Sequence, residues 1–230
     1  MNTKLKKAIS LTAVFLFLMF MYGYFLSTTI TSNNYNPLGI TIVLDAGHGN
    51  PDGGCVGLKT GITESELNLV YVNKLEKLLN TAGINIIKTR NSNNALIKSN
   101  LSSFKKQDML KRKEIIQNSC AELVVSIHMN KFDLKSENGA QVFYYENNEQ
   151  AKIFAECVRD ELTKQIENAR QLVLGGDYFI TKCSSAPAII VECGFLSNEQ
   201  EEINLQKEDY QDKMCYAIFC GIMKYLGMEK

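Results

Sequence analysis

Short apolar runs alternate with longer amphipathic segments along most of this chain, and the two periods are different. The runs Ile40 to Asp45, Ile84 to Lys88, Leu123 to His128, Gln141 to Tyr145 and Ala188 to Glu192 are rich in Ile, Val and Leu or, in the fourth, in aromatic residues, which predicts buried strands. Between them, Thr63 to Asn80, Lys105 to Cys120, Glu149 to Ala169 and Tyr210 to Leu226 carry apolar residues at helical spacing. Leu67, Val70, Tyr71, Leu75 and Leu78 line one side of the first, and Gly83 follows as a stop signal. Strands alternating with helices predict a single α/β domain, with a mainly parallel mixed sheet and helices on both faces. The Gly-rich segment Gly47 to Gly61 and the Asn- and Ser-rich segment Asn91 to Ser103 read as loops, the second long enough to form an exposed rim to a groove.

One segment breaks the pattern. Lys4, Lys6 and Lys7 precede Ala8 to Leu26, a stretch without charge and without a polar face, about the length a helix needs to cross a bilayer. This predicts an N-terminal membrane-anchor helix at 8–26, a basic cytoplasmic flank at 1–7, a polar linker at 27–38 and a catalytic domain at 39–230 on the far side of the membrane. A cleaved signal peptide shares the basic flank and apolar centre. Against it, the apolar stretch exceeds a usual signal core and no Ala-x-Ala precedes the linker.

Composition narrows the class of function. The 230 residues are 45% hydrophobic and 22% charged with 3 Pro, as in a globular chain, and Lys+Arg 25 balances Asp+Glu 25. Without a basic field, nucleic acid is excluded as a partner. Seven cysteines contain no Cys-x-x-Cys pair, which argues against a structural zinc cage. Several lie among apolar neighbours and read as small core residues.

The chemistry is concentrated in two histidines, the only ones present. His48 ends Ile-Val-Leu-Asp-Ala-Gly-His and His128 ends Leu-Val-Val-Ser-Ile-His, so both sit where open α/β sheets place their reactive groups. Two imidazoles at neighbouring strand ends suggest a metal site, although each is also acceptable as a satisfied core residue. A catalytic zinc takes three protein ligands, and the acidic residues near His48 are Asp45, Asp52, Glu64 and Glu66. Thr63-Glu-Ser-Glu66 has the form of a capping box, which occupies Glu66. Glu64 is left at the first helical position, either turned toward the His48 loop or solvated and favoured by the helix dipole. Glu192 follows Ala-Ile-Ile-Val at the end of the last strand. A buried carboxylate there requires a metal, a catalytic proton or an ion pair, for example with Arg90 or Arg112.

Taken together, Asp45-Ala-Gly-His48-Gly, Glu64-Ser-Glu-Leu-Asn-Leu69, Ser126-Ile-His128-Met-Asn130 and Val191-Glu192-Cys-Gly-Phe-Leu-Ser-Asn198 resemble, in order, the four signature blocks of the zinc-dependent N-acetylmuramoyl-L-alanine amidases of the Amidase_3 family. The resemblance spans roughly Ile40 to Leu226. It implies Zn²⁺ as cofactor, His48, Glu64 and His128 as its ligands, Glu192 as the catalytic glutamate, and structural roles for Arg112 and Asn118. It also implies peptidoglycan as substrate and an extracytoplasmic site of action. Larger relatives carry an extra helix that blocks the zinc site between the second His block and the final Glu, and the spacing here leaves little room for one. That places the chain nearest the short spore-cortex, germination-specific members, and implies control by an activating protein partner rather than by self-inhibition. A stem-peptide carboxypeptidase or endopeptidase using the same ligands, and a non-catalytic wall-binding protein, are the alternative readings.

Overall fold

The structure is a computed structural model that describes residues 14–22, 38–97 and 103–228. Residues 14–22 are helical with exposed side chains. Of the anchor expected at 8–26, the remainder lies outside the described residues, and among the described residues no helix is long and apolar enough to cross a membrane.

Residues 36–230 form the second unit. Its elements are β1 (Thr41–Ala46), α1 (Glu64–Thr81), β2 (Asn85–Lys88), α2 (Phe104–Asn118), β3 (Leu123–Asn130), β4 (Gln141–Tyr145), α3 (Glu149–Gln165), β5 (Leu174–Gly176), β6 (Ala188–Phe195), α4 (Glu199–Leu205) and α5 (Glu208–Tyr225), with one 3₁₀ turn at Ile180–Lys182. The sheet order is β2-β1-β3-β6-β4-β5. All neighbours are parallel except β4 and β6, so the expected mainly parallel, mixed sheet is present.

The two faces are covered unequally. Side chains alternate along a strand, and Ile42, Leu44, Val125, Ile127, Ile189 and Val191 enter a large core shared with Leu67, Leu75, Phe154, Val158, Ile218 and Ile222 of α1, α3 and α5. The opposite face buries a smaller cluster, Val43, Val124, Ala188 and Ile190 with Ile116 of α2 and Ile180 of the 3₁₀ turn. Helices thus lie on both faces as expected, but the thin one leaves strand-end positions accessible. On that thin face the period of two also places Asp45, Ser126, His128 and Glu192.

Three local expectations change. The last strand runs to Phe195, beyond Glu192, and pairs there across a register shift between His128 and Asn130. The helix α4 and the short strand β5 are additional elements. The described part of the Asn91 to Ser103 segment is tied down: the Asn50 amide donates to Asn93 O at 2.7 Å, the Ala95 amide to Asn50 O at 3.0 Å, and the Leu96 amide to Asp108 Oδ1 at 2.8 Å. Residues 98–102 lie outside the described residues. Between His128 and Glu192 a single α-helix, α3, occurs among the described residues.

Candidate metal centre

The site begins with the way β1 ends. Beyond Ala46 the chain must leave its ladder, and two buried arginines take up the freed carbonyls: Arg90 donates to Ala46 O at 2.8 Å and Gly47 O at 3.0 Å, and Arg112 donates to Ala46 O at 2.8 Å and to His48 O. These bonds support the left-handed conformation of His48, φ 61°, which is costly for a residue with a Cβ. Gly47 is required by space, because a Cβ there would lie 2.2 Å from the His128 ring.

Arg112 is itself held by Asp45 at 2.6 Å and Asp108 at 2.8 Å. Ser126 and Thr89 each donate to Asp45 at 2.6 Å. Burial opposes the Asp45 charge, but Arg112 and these two hydroxyls outweigh it and bring its pKa to about 2. Arg112 therefore has the structural role the resemblance implies. Asn118, the last residue of α2, is exposed.

Glu64 arrives from the start of α1. Thr63 caps this helix through the expected box: its hydroxyl accepts from the Glu66 amide at 3.4 Å, and the Glu66 carboxylate accepts from the Thr63 amide at 3.1 Å. With Glu66 occupied, Glu64 turns back into the loop. Its Oε2 accepts from the Cys55 amide at 2.9 Å, where Gly54 is essential because a Cβ would lie 2.4 Å from that oxygen. Its Oε1 lies 3.1 Å from His48 Nε2 and 2.8 Å from His128 Nδ1.

His48, Glu64 and His128 thus bring one ligand atom each to within 4.8 Å of one another. Burial disfavours charge on Glu64, yet the two imidazoles hold its carboxyl well below the usual carboxylate range. Burial likewise opposes protonation of both histidines, and Glu64 raises their pKa values regardless. An ionised carboxylate between two imidazoles is a cavity that favours positive charge. Two nitrogens and one oxygen are also a donor set that zinc accepts with a position left open. His48 Nδ1 is turned to Asp52 Oδ2 at 3.1 Å, the carboxylate support that orients many metal-binding imidazoles. The donor chemistry fits a divalent metal.

Glu192 stands next to this group. It is the register partner of His128 on the adjacent strand, and its Oε2 is buried without a hydrogen-bond partner among the described residues. Neither arginine considered as an ion-pair partner serves it, since Arg90 and Arg112 are engaged as described. Burial pushes its pKa up to about 7, with His128 opposing and Glu64 adding to the rise. A carboxyl in that condition can both accept and return a proton near neutrality.

A cleft of about 280 Å³ opens from His48 and His128. Phe104 and Lys105 of α2 line it together with Tyr178 and Phe179. No local pattern pointed to these four, because they converge only through the packing of α2 and the 3₁₀ turn on the thin face. Cys183, Cys193 and Cys215 are buried, as the apolar context implied, and among the described residues no cysteine joins the metal group.

Comparison with known proteins agrees with this geometry. A family model described as N-acetylmuramoyl-L-alanine amidase matches residues 42–224. The germination-specific N-acetylmuramoyl-L-alanine amidase of Bacillus subtilis is 34% identical, over 98% of this chain and 96% of its own length. The CwlD amidase of Clostridioides difficile, solved in complex with the GerS lipoprotein, matches with a TM-score of 0.78 at 36% identity, covering 83% of this chain and 100% of that one. The catalytic domain of CwlV from Bacillus (Paenibacillus) polymyxa var. colistinus matches with a TM-score of 0.73 at 27% identity, covering 83% and 99% respectively. By the extent of the family match and by these likenesses, the chain belongs to the N-acetylmuramoyl-L-alanine amidase family.

Proposed function

We propose that this chain is a zinc-dependent peptidoglycan amidase of the germination-specific type, cleaving the amide between the lactyl group of N-acetylmuramic acid and the L-alanine of the stem peptide during spore-cortex maturation. The observation that carries the reading is the convergence of His48, Glu64 and His128 on one point, with Glu192, whose Oε2 has no hydrogen-bond partner among the described residues, as the register partner of His128. A zinc ion held by those three residues supplies Lewis acidity for the lactyl carbonyl and the attacking water. Asp52 fixes the His48 ring, and Gly47 lets His128 pack close to it. Glu192 takes a proton from the attacking water and returns it to the departing L-alanine nitrogen, serving as base and then as acid. The products are a lactyl carboxylate on the glycan and a free stem peptide.

The chain acts outside the cytoplasm in this reading, with 1–7 as basic flank, 8–26 as membrane anchor, 27–38 as linker and 39–230 as catalytic domain. Retention of the chain in the membrane fraction with its amino terminus at Met1 is the expected result; a mature start between Ser27 and Asn36 would instead identify a secreted enzyme. An extracytoplasmic protein partner is part of the proposal, by analogy with the lipoprotein complex of the Clostridioides difficile relative.

Incubation of the full chain with zinc and purified peptidoglycan, followed by mass analysis, tests the activity. Bare muramyl residues and intact stem peptides are expected. Shortened stems still attached to muramic acid would support a carboxypeptidase or endopeptidase, and binding without products would support a wall-binding protein.

A further inference from the structure

Glu64 closes a small hairpin whose far end is gripped by a residue from the last part of the chain. At its foot the Cys55 amide donates to Glu64 Oε2 at 2.9 Å, and the Glu64 amide donates to Cys55 O at 2.8 Å. Above that rung Val56 pairs with Thr63, and the Gly57 amide donates to Ile62 O at 2.9 Å. A two-stranded ladder of this size is marginal in water without outside support. The foot has such support, since Cys55 and Ile62 pack against the main core and the Cys55 thiol donates to Met129 O at 3.2 Å. Nearer the tip the apolar side chains face outward, with Val56 46% and Leu58 49% exposed.

The tip is held by Glu202 of α4, which is fully buried. Its Oε1 accepts from the Thr60 amide and the Thr60 hydroxyl, each at 2.7 Å, and its Oε2 accepts from the Lys59 amide at 2.8 Å. Gln206 adds one bond to the Thr60 hydroxyl at 3.1 Å. The fit requires Gly57, because a Cβ there would lie 2.4 Å from Glu202 Oε1. Burial opposes the Glu202 charge, but the amides of Thr60 and Lys59 and the Thr60 hydroxyl outweigh it and hold the carboxyl below the usual carboxylate range. The neighbouring Glu201 is engaged elsewhere, accepting from the Gly139 and Phe195 amides at 2.8 Å each.

We propose that Glu202 is a positioning residue for Glu64: by fixing the hairpin tip it keeps the Cys55 amide on Glu64 Oε2, so that Oε1 is the oxygen turned to His48 and His128. The inference rests on the reading of that group as a zinc site. It makes zinc affinity depend on a carboxylate that touches neither the metal nor any of its ligands. Groups that orient a ligand directly contribute about 10- to 100-fold to metal affinity, and Glu202, acting through the hairpin, should contribute about tenfold.

Glu202→Gln is the sharpest probe, because it keeps the volume but replaces one acceptor oxygen by an NH₂ donor, which must then face the amide of Lys59 or the donors of Thr60. In the full chain the zinc dissociation constant, read by competition with a chromophoric chelator, should rise by about tenfold. Glu202→Asp retains both acceptors and should recover part of the loss. Glu201→Gln, on the same helix and also buried, should lower the thermal midpoint of the zinc-free chain and leave zinc affinity unchanged. A Glu202→Gln chain that is less stable yet binds zinc like the unaltered chain, or a Glu201→Gln chain that weakens zinc as much, would overturn the proposal. If Glu202→Gln does not fold, Thr60→Val removes one of the three donors and should raise the constant by about threefold; an unchanged constant is then the contrary result. Hydrogen exchange on the zinc-free chain separates the two readings, since loosening the tip should speed exchange of the Cys55 amide by about tenfold. If the unaltered chain binds no zinc, the zinc reading fails, and the Cys55 exchange rate in Glu202→Gln or Thr60→Val still decides for or against Glu202.

Discussion

His128 and Glu192 are register partners on adjacent parallel strands, both on the thinly covered face of the sheet. The ladder between β3 and β6 thus holds the Glu192 carboxyl, the proposed acid–base group, at a fixed place beside the His128 imidazole, a proposed metal ligand, with no loop needed to bring it there. Glu192→Gln keeps the shape of the side chain and removes its proton chemistry. It should retain zinc and thermal stability while losing turnover by about 10²- to 10⁴-fold, the usual contribution of a general acid–base group. Near-normal kcat in a zinc-loaded Glu192→Gln protein would remove Glu192 from the reaction.

Because Glu64 Oε1 is within 3.1 Å of His48 and 2.8 Å of His128, the carboxylate links the two rings. Replacing any one of His48, Glu64 or His128 by Ala should reduce bound zinc from one per chain to a small fraction, as read by metal analysis after dialysis. Glu64→Ala is the most informative of the three. Stoichiometric zinc in that variant would exclude Glu64 from the ligand set.

The buried Asp45–Arg112 pair should give stability a defined dependence on acid. Asp45 has its pKa lowered from 3.8 to about 2, so the unfolded chain binds the proton more readily than the folded one. Its contribution is fully present above the unfolded value and is lost as pH falls from about 4 toward 2. Linkage puts its size at about 2 kcal/mol. Urea midpoints for the unaltered chain and Asp45→Asn should differ most near neutrality and converge at about pH 2. A difference that is constant over that range would contradict the account.

Much of this arrangement was legible in the chain because both the sheet and the site follow short-range patterns. Gln141–Tyr145 is a strand with the bounds its apolar run implies. His48, His128 and Glu192 sit where apolar runs stop. For Glu64 the capping box of Thr63 and Glu66 left two readings open, turned toward the His48 loop or solvated, and only the resemblance of the Glu64-Ser-Glu-Leu-Asn-Leu69 block pointed to the first. The small helix α4 was not legible, since seven residues carry little periodicity. It is fixed instead by distant contacts, Glu201 accepting from the Gly139 and Phe195 amides and Glu202 from the Lys59 and Thr60 amides. Strand β5, with two glycines in three residues, has almost no side-chain pattern to read. Lys105, Tyr178 and Phe179 escaped for the same reason: they are far apart in the chain, and only the packed thin face makes them neighbours.

The central claim, hydrolysis at the lactyl carbonyl by a carboxyl-assisted metal centre, is tested most directly by digesting a purified muramyl peptide with the zinc-loaded chain in ¹⁸O-water and locating the label by mass. Attack at the lactyl carbonyl predicts one ¹⁸O in the carboxylate of the muramyl product and none in the released peptide, which begins with a free L-alanine amine. Label in a new carboxyl terminus within the peptide, with muramic acid still carrying L-alanine, would contradict it.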